Sequence, residues 1–350
     1  MRVRGAALDA RTFVFENVKG LTIGRHREFL DELVEAFDRE GYRVRLPWQV
    51  LDAAEYGVPQ HRERLILIGA KKGTTLPSYP APSTIPSDRE PMPLTGLSFG
   101  PTCRDALADL PDADLYPSLG AADFVKVTHP TRPDNAYAIE MRCIEASSWH
   151  LGYVRAWDPK ILTSSARTSH SEISQRRFES TRPGAVEPIS RFFRLPPGGL
   201  SNTLRAGTDG SRGAFTSPRP IHYEHSRCIT VREMARLHGY PDWFRFHVTK
   251  WHGAPQVGNS AAPPLGRAIA SEVMKAIAAI PTRPERSIAL GDPALLSLDL
   301  TAAASRFGVT APPSRRDRKS GTRKRKQHET EAARLAALRH PFPMAVEANA

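Results

Sequence analysis

Residues 12–21, TFVFENVKGL, decide how this chain is to be read. Thr12 to Phe15 are β-branched or aromatic and carry no charge, which predicts a short buried strand. Glu16-Asn17-Val18 follows, and Lys19-Gly20 breaks the pattern. A carboxylate just past an apolar strand is where open α/β sheets keep their chemistry, at the carboxyl ends of the strands. Taken alone, the stretch reads equally well as a polar turn closing a strand. Its neighbours carry more weight. Over His26–Arg39, Phe29, Leu30, Leu33, Val34 and Phe37 recur at three- and four-residue spacing. That spacing predicts an amphipathic helix, with Gly41 as its stop. Tyr42–Leu46 alternates apolar and basic residues and predicts a strand exposed on one face. Ala53–Pro59 reads as a loop. Gln60-His61-Arg62-Glu63-Arg64 then runs directly into Leu65–Gly69, another core strand. Residues 12–70 are thus strand, helix, strand, loop, strand, which is half of an α/β sheet.

The 350 residues allow one large domain or two ordinary ones. Hydrophobic residues at 40% and charged residues at 25% are globular values, while 31 prolines predict long irregular segments. A net charge of +12 points to a polyanionic partner, most simply nucleic acid, although part of that charge lies in the C-terminal tail. Cys103, Cys143 and Cys228 are far apart and form no CxxC pair. That excludes a disulfide framework or a cysteine zinc site and fits a reducing compartment. No apolar run reaches the length of a membrane span, and the first residues, MRVRGAALDARTF, lack the apolar core of a signal peptide. The expectation is a cytoplasmic protein with no membrane partner.

Residues 71–100, rich in Pro, Ser and Thr, read as a connector. Thr102–Leu110 predicts a short helix ended by Pro111. Residues 115–225 show no sustained period; glycines and arginines punctuate Pro196–Tyr223, which predicts a loop-rich basic domain. Val231, Met234, Ala235 and Leu237 predict a helix stopped by Gly239-Tyr240-Pro241. Gln256–Ser260, QVGNS, reads as a polar loop, and Pro263–Ile280 as a helix with a proline entry. Arg315–Lys326, RRDRKSGTRKRK, holds eight basic residues and one acidic, and the tail 281–350 is expected to be disordered. Arg323–Lys326 would add nonspecific phosphate contacts or merely keep the chain soluble.

Four of these pieces, in this order, resemble the DNA cytosine-5 methyltransferases of bacterial restriction–modification type. FENVKGL at 15–21 is similar to that family's Glu-Asn-Val motif. YGVPQHRER at 56–64, followed by LILIG, is similar to its Gln-x-Arg-x-Arg motif and strand. RCITVREMARLHGYP at 227–241 resembles the helix that packs its recognition domain. QVGNSAAPP at 256–264 resembles its Gly-Asn-Ser motif. Each motif is short, but four in sequence between residues 15 and 264 are specific.

The resemblance implies an α/β fold: a partial Rossmann-like methyltransferase sheet with a second, loop-rich mixed α/β DNA-recognition domain. Residues 1–75 would be the second half of the catalytic domain and 76–225 the connector and recognition domain. Residues 226–280 would return to the catalytic domain, followed by the tail. The chemistry implied is transfer of methyl from S-adenosyl-L-methionine to C5 of a cytosine flipped out of double-stranded DNA. C5 becomes nucleophilic when a cysteine thiolate adds to C6. A carboxyl group must then meet N3, which is general-acid work, and by resemblance this is Glu16. An arginine must hold O2, by resemblance Arg64 with Arg62 in support. Asn259 and Ser260 would face the methyl donor. Asn17, Gln60 and the segment Leu200–Thr208, with Thr203, Leu204 and Arg205, would face DNA. For any single arginine there, a backbone-positioning contact is commoner than base readout.

The chain departs from the family in two motifs. It lacks the Phe-x-Gly-x-Gly cofactor loop, and none of its cysteines stands in a Pro-Cys-Gln sequence. Three expectations remain open at this level. The chain is the C-terminal part of an enzyme whose N-terminal part is a separate subunit; it is a truncated product, inactive alone; or it is a non-catalytic DNA-binding remnant.

Overall fold

The structure, a computed structural model, describes residues 9–24, 26–91, 96–128, 131–145, 148, 151–205, 220–282 and 285–310. Its principal sheet is built around one strand. β4 (Glu63–Lys71) pairs on one side with β1 (Thr12–Val18), and on the other with β2 (Tyr42–Val44) and β3 (Gln49–Asp52) in tandem. All three pairings are antiparallel. β4 is the residue run LILIG seen in the sequence, lengthened at both ends by its ladder with β1. That ladder runs without interruption from Thr12 opposite Ala70 to Val18 opposite Arg64.

The strand period of two sorts the side chains onto two faces. Phe13, Phe15, Leu65 and Leu67 meet Leu30, Leu33 and Phe37 of helix α1 (His26–Arg39). Phe13 stacks on Phe37 with ring centroids 4.0 Å apart. The opposite strand residue is Gly69, where a Cβ would lie 2.1 Å from the Phe13 ring. The other face of β4, Ile66 and Ile68, packs on Leu265 and Ile269 of a long helix, α7 (Pro263–Ala276), and on Leu51, Tyr56 and Val58. β4 is therefore covered on both sides. β1 is covered on one, and Val14 and Val18 are 44% and 54% exposed.

A second core lies under residues 200–205. It joins α2 (Cys103–Leu107), α5 (Val231–Leu237) and α6 (Lys250–Asn259) with Leu195 and Leu204. Both α2 and α5 start in reciprocal caps, Thr102 with Asp105 and Thr230 with Glu233. Gly239 ends α5 with φ +84°, and a Cβ there would meet the Pro264 ring at 2.5 Å. This glycine lets the end of α5 touch the start of α7, so the two cores share a border. Two short helices, α3 (Ala136–Arg142) and α4 (Glu172–Ser180), and two-residue strands complete this part. Of those strands, β5 (Val125–Lys126) pairs with β7 (Ile161–Leu162), and β6 (Arg155–Ala156) pairs with β8 (Ile288–Ala289).

Several expectations are corrected. The first strand does not stop at Phe15; Glu16 and Asn17 lie inside it, because the ladder with β4 continues through them. The strand predicted over Tyr42–Leu46 ends at Val44, and Arg45 turns its guanidinium onto the carbonyls of Leu76 and Pro77. Gln256–Asn259 is not a loop but the last part of α6, despite Pro255 inside that helix, because Ala254 and Val257 are packed in the core beside α5. The final long helix ends at Ala276 rather than Ile280. The tail expected to lack structure forms β8 and a helix, α8 (Leu300–Arg306), in its first part. Arg315–Lys326 lies outside the described residues.

Candidate active site

β1 and β4 present two charged side chains to one cleft. Glu16 sits on β1 and Arg64 at the start of β4, on the same face of adjacent strands. The Glu16 carboxylate accepts from Arg64 Nε at 2.8 Å. The pair is partly open, with Glu16 33% and Arg64 11% exposed. Arg64 Nη1 also donates to the Glu63 carbonyl at 2.8 Å. Burial lowers the pKa of Arg64, and Glu16 opposes that shift. The cleft they share has a volume of about 400 Å³ and is also lined by Asn17, Arg62, Thr203, Leu204, Arg205 and Asn259. Its lining holds Arg62, Arg64 and Arg205 against the single carboxylate of Glu16, which favours an anionic occupant.

Arg62 shapes the cleft. Its buried guanidinium donates to the carbonyls of Leu204 at 3.0 Å, Gly258 at 2.8 Å and Ser260 at 2.6 Å. It thereby ties the start of β4 to the segment around Leu204 and to the end of α6. No carboxylate is among these partners. Burial, with Arg64 nearby, lowers its pKa to about 10.

Gln60 makes a second tie and is fully enclosed. Its amide nitrogen donates to Leu237 O at 3.2 Å and to His238 Nδ1 at 2.9 Å, and its oxygen accepts from Leu204 N at 2.8 Å. Accepting at Nδ1 leaves the proton of His238 on Nε2, which points at the Ser260 carbonyl 3.2 Å away. Burial and the Arg62 charge push the His238 pKa down to about 3, so the ring is neutral. The segment 200–205 is fastened along the same line: Ser201 N donates to Pro59 O, His61 N to Ser201 O, and the Thr203 hydroxyl to His61 O at 2.7 Å.

The structure thus brings together Glu16, Asn17, Arg62, Arg64, Thr203, Leu204, Arg205 and Asn259. It changes the part some of them play. Gln60 and Leu204 are buried, and their polar groups are spent on internal bonds, so they position the walls rather than face DNA. The Ser260 hydroxyl donates to Val257 O, and its carbonyl is taken by Arg62 and His238. Asn259 is exposed on the cleft. Of these two, Asn259 is the one that presents its side-chain amide to the cleft. Asn17 caps its own neighbour, accepting from Val18 N at 2.8 Å. Arg205 is exposed, while residues 206–208 of the same segment lie outside the described residues.

Sequence reasoning missed His238 and the Asp52 carboxylate, which accepts from Arg62 N at 2.8 Å. His238 follows the apolar run of α5 and reads as an ordinary helix-end residue; only its spatial partner, 178 positions away, reveals it. All three cysteines are buried, and none lines the cleft. Burial pushes the Cys103 thiol far up and the Cys143 thiol to about 12. Neither forms a thiolate near neutral pH. Among the described residues, no group of His, Cys, Asp and Glu could hold a metal ion, and no helix is long and apolar enough to cross a membrane.

Residues 7–275 match the family model for C-5 cytosine-specific DNA methylases. The chain is 50% identical over 304 residues to the type II methyltransferase M.XorII of Xanthomonas oryzae pv. oryzae, covering 87% of this chain and 68% of that protein. It is 29% identical over 333 residues to DNA (cytosine-5)-methyltransferase 1 of Rattus norvegicus, covering 75% of this chain and 20% of that protein. Among solved structures, it is similar to a prophage-encoded E. coli protein described as a candidate DNA modification methyltransferase. There the TM-score is 0.57 and the identity 28%, with 78% of this chain and 72% of that one covered. This chain belongs to the C-5 cytosine-specific DNA methylase family, whose members take the methyl group from S-adenosylmethionine.

Proposed function

We propose that this chain binds a cytosine flipped from duplex DNA and manages charge on its ring while C5 accepts a methyl group. The observation that carries the reading is the Glu16–Arg64 pair, 2.8 Å apart, in a cleft that the recognition segment Thr203–Arg205 also lines. Glu16 meets N3 of the ring and handles the proton there as a thiolate adds to C6. Arg64 holds O2 and offsets the charge that develops on the ring. Arg62 and Gln60 fix the walls, and Arg205 reaches the DNA as a base or phosphate contact. S-adenosylmethionine supplies the methyl group. The three cysteines are buried away from the cleft, so in this reading the thiolate comes from a polypeptide segment other than these residues.

A second reading is a DNA-binding module without chemistry. The burial of every cysteine favours it. One experiment separates the two: DNA methylation in cells expressing the intact genomic locus, with wild type, Glu16→Gln and Arg64→Met compared. A fall of about 100-fold or more in both variants supports the catalytic reading. Methylation at the wild-type level in either variant overturns it. No methylation by the wild-type locus, with sequence-selective duplex binding by the purified chain, establishes the second. Methyl transfer by the purified chain alone would overturn the placing of the thiolate elsewhere.

A further inference from the structure

The residue between Gln60 and Arg62 has a setting that the cleft does not explain. His61 does not line the cleft, and its side chain is 35% exposed. Both of its ring nitrogens nevertheless face carboxylates: Nδ1 is 2.7 Å from Asp52 Oδ2 and Nε2 is 2.8 Å from Asp88 Oδ2. An ionised carboxylate only accepts hydrogen bonds, so both contacts form together only if both ring nitrogens carry protons. We propose that His61 is a positioning residue: as an imidazolium clamped between Asp52 and Asp88, it sets the backbone entering β4, and so holds Arg62 in the cleft wall and aims Arg64 into the cleft.

Three observations support the assignment. First, Asp52 is the hub of the turn. Its Oδ1 accepts from Arg62 N at 2.8 Å and from Ala54 N at 3.2 Å, while Oδ2 takes His61. It is nearly buried, so removing the imidazolium charge would leave a carboxylate with one distant cation, Arg89, at 4.0 Å. Second, the His61 backbone holds the recognition segment, donating to Ser201 O and accepting from Thr203 Oγ1. One residue thus joins β3, the connector and the recognition segment at the position next to Arg62. Third, the surrounding charges favour the cation. Asp52 lies at the end of β3, Glu55 on the turn after it, and Asp88 and Arg89 on the connector. Arg89 is held by Glu55 at 2.8 Å.

The clamp makes a pH dependence. The two carboxylates raise the His61 pKa to about 9. The folded value is above the unfolded 6.5, so the stabilisation is complete below about pH 6.5 and is lost as pH rises through about 9. The cleft is therefore set at neutral pH and loosens in alkali.

The inference rests on the reading of Arg64 as a site residue, but its first test, which can fail independently of that reading, uses neither DNA nor methyl donor. The full chain, labelled at histidine and arginine, is titrated by NMR while the Arg64 Nε–H resonance is followed. The expected wild-type result is a His61 pKa above 8, with the Arg64 resonance moving along the same curve. His61→Gln should show at neutral pH the Arg64 resonance that wild type shows only in alkali. His61→Arg, a permanent cation with donors on two edges, should keep the wild-type position throughout. In cells carrying the intact locus, His61→Gln should lower methylation about tenfold or more, and His61→Arg should restore most of it. A wild-type His61 pKa between 6 and 7, or an unchanged Arg64 resonance in His61→Gln, overturns the proposal. Should His61→Gln not fold, the wild-type titration and His61→Arg still decide.

Discussion

Two sets of buried arginines divide this molecule. In the core around α5, Arg236 is held by Asp109 at 2.9 Å and Asp242 at 2.7 Å, and Arg227 by Glu233 at 2.8 Å and Asp112 at 3.1 Å. Their carboxylate partners drive both pKa values up. At the cleft the balance is reversed. Arg62 has three carbonyls and no carboxylate, Arg64 has the single carboxylate of Glu16, and both pKa values are lowered by burial. In one region the positive charge is spent on holding the fold. In the other it is left under-compensated, and at Arg64 it is open to a space. Arg232 shows that under-compensation alone does not mark a site. Its nearest carboxylate is 3.8 Å away and its pKa falls to about 10, yet it is wholly enclosed. Access to a cleft is the second requirement, and of these residues Arg64, 11% exposed where Arg62 and Arg232 are each 1%, meets both.

The comparison predicts a ranking of stability losses, with Arg236→Met the largest. It leaves the buried Asp109 and the largely covered Asp242 with less compensation, and should cost about 3–5 kcal/mol in denaturant unfolding. A loss below about 1 kcal/mol would break the comparison, because the buried ion cluster would then contribute nothing to the fold.

The two regions also differ in how far the sequence discloses them. Glu16, Arg62, Arg64 and Asn259 could be named in advance because each sits in a short motif, and the strand and helices nearest them have strong apolar patterns. Gln60 sits in the same motif as Arg62, yet its burial depends on Leu237 and Leu204, which lie 177 and 144 positions away. A polar residue before a strand gives no local sign of such partners. The helix Lys250–Asn259 carries Gly253 and Pro255, which local propensity disfavours. It forms because Ala254 and Val257 are packed in the core beside α5. Strand Gln49–Asp52 is four residues long and takes its conformation from pairing with β4, not from its own composition. Short α3 and α4 lie where the sequence has no sustained period, since seven- and nine-residue helices offer too few turns to show one.

Arg62→Met should rank second. It removes a donor from the Leu204, Gly258 and Ser260 carbonyls but strands no carboxylate. The expected cost is about 1–3 kcal/mol, below that of Arg236→Met. The reverse order would show that the arginine at the cleft, and not the one in the core around α5, is the main structural cation. It would also remove the ground for treating the cleft as a place where charge is held in reserve.

The smallest stability effect belongs to Glu16→Gln, and it sharpens the comparison most. The Glu16–Arg64 pair is partly exposed, with the Glu16 side chain about one-third open, and the substitution keeps a hydrogen-bond acceptor near Arg64 Nε. Such a pair contributes about 1 kcal/mol or less, so unfolding of Glu16→Gln should stay within that margin of wild type. If the cleft arginine is kept for an anionic or electron-rich occupant, removing the carboxylate paired with it should leave the fold intact and strengthen chloride or phosphate binding at the cleft. A loss comparable to that of Arg236→Met would instead place the Glu16–Arg64 pair with the structural ion pairs. The distinction between charge that holds the fold and charge held for a ligand would then fail at the residue where it matters most.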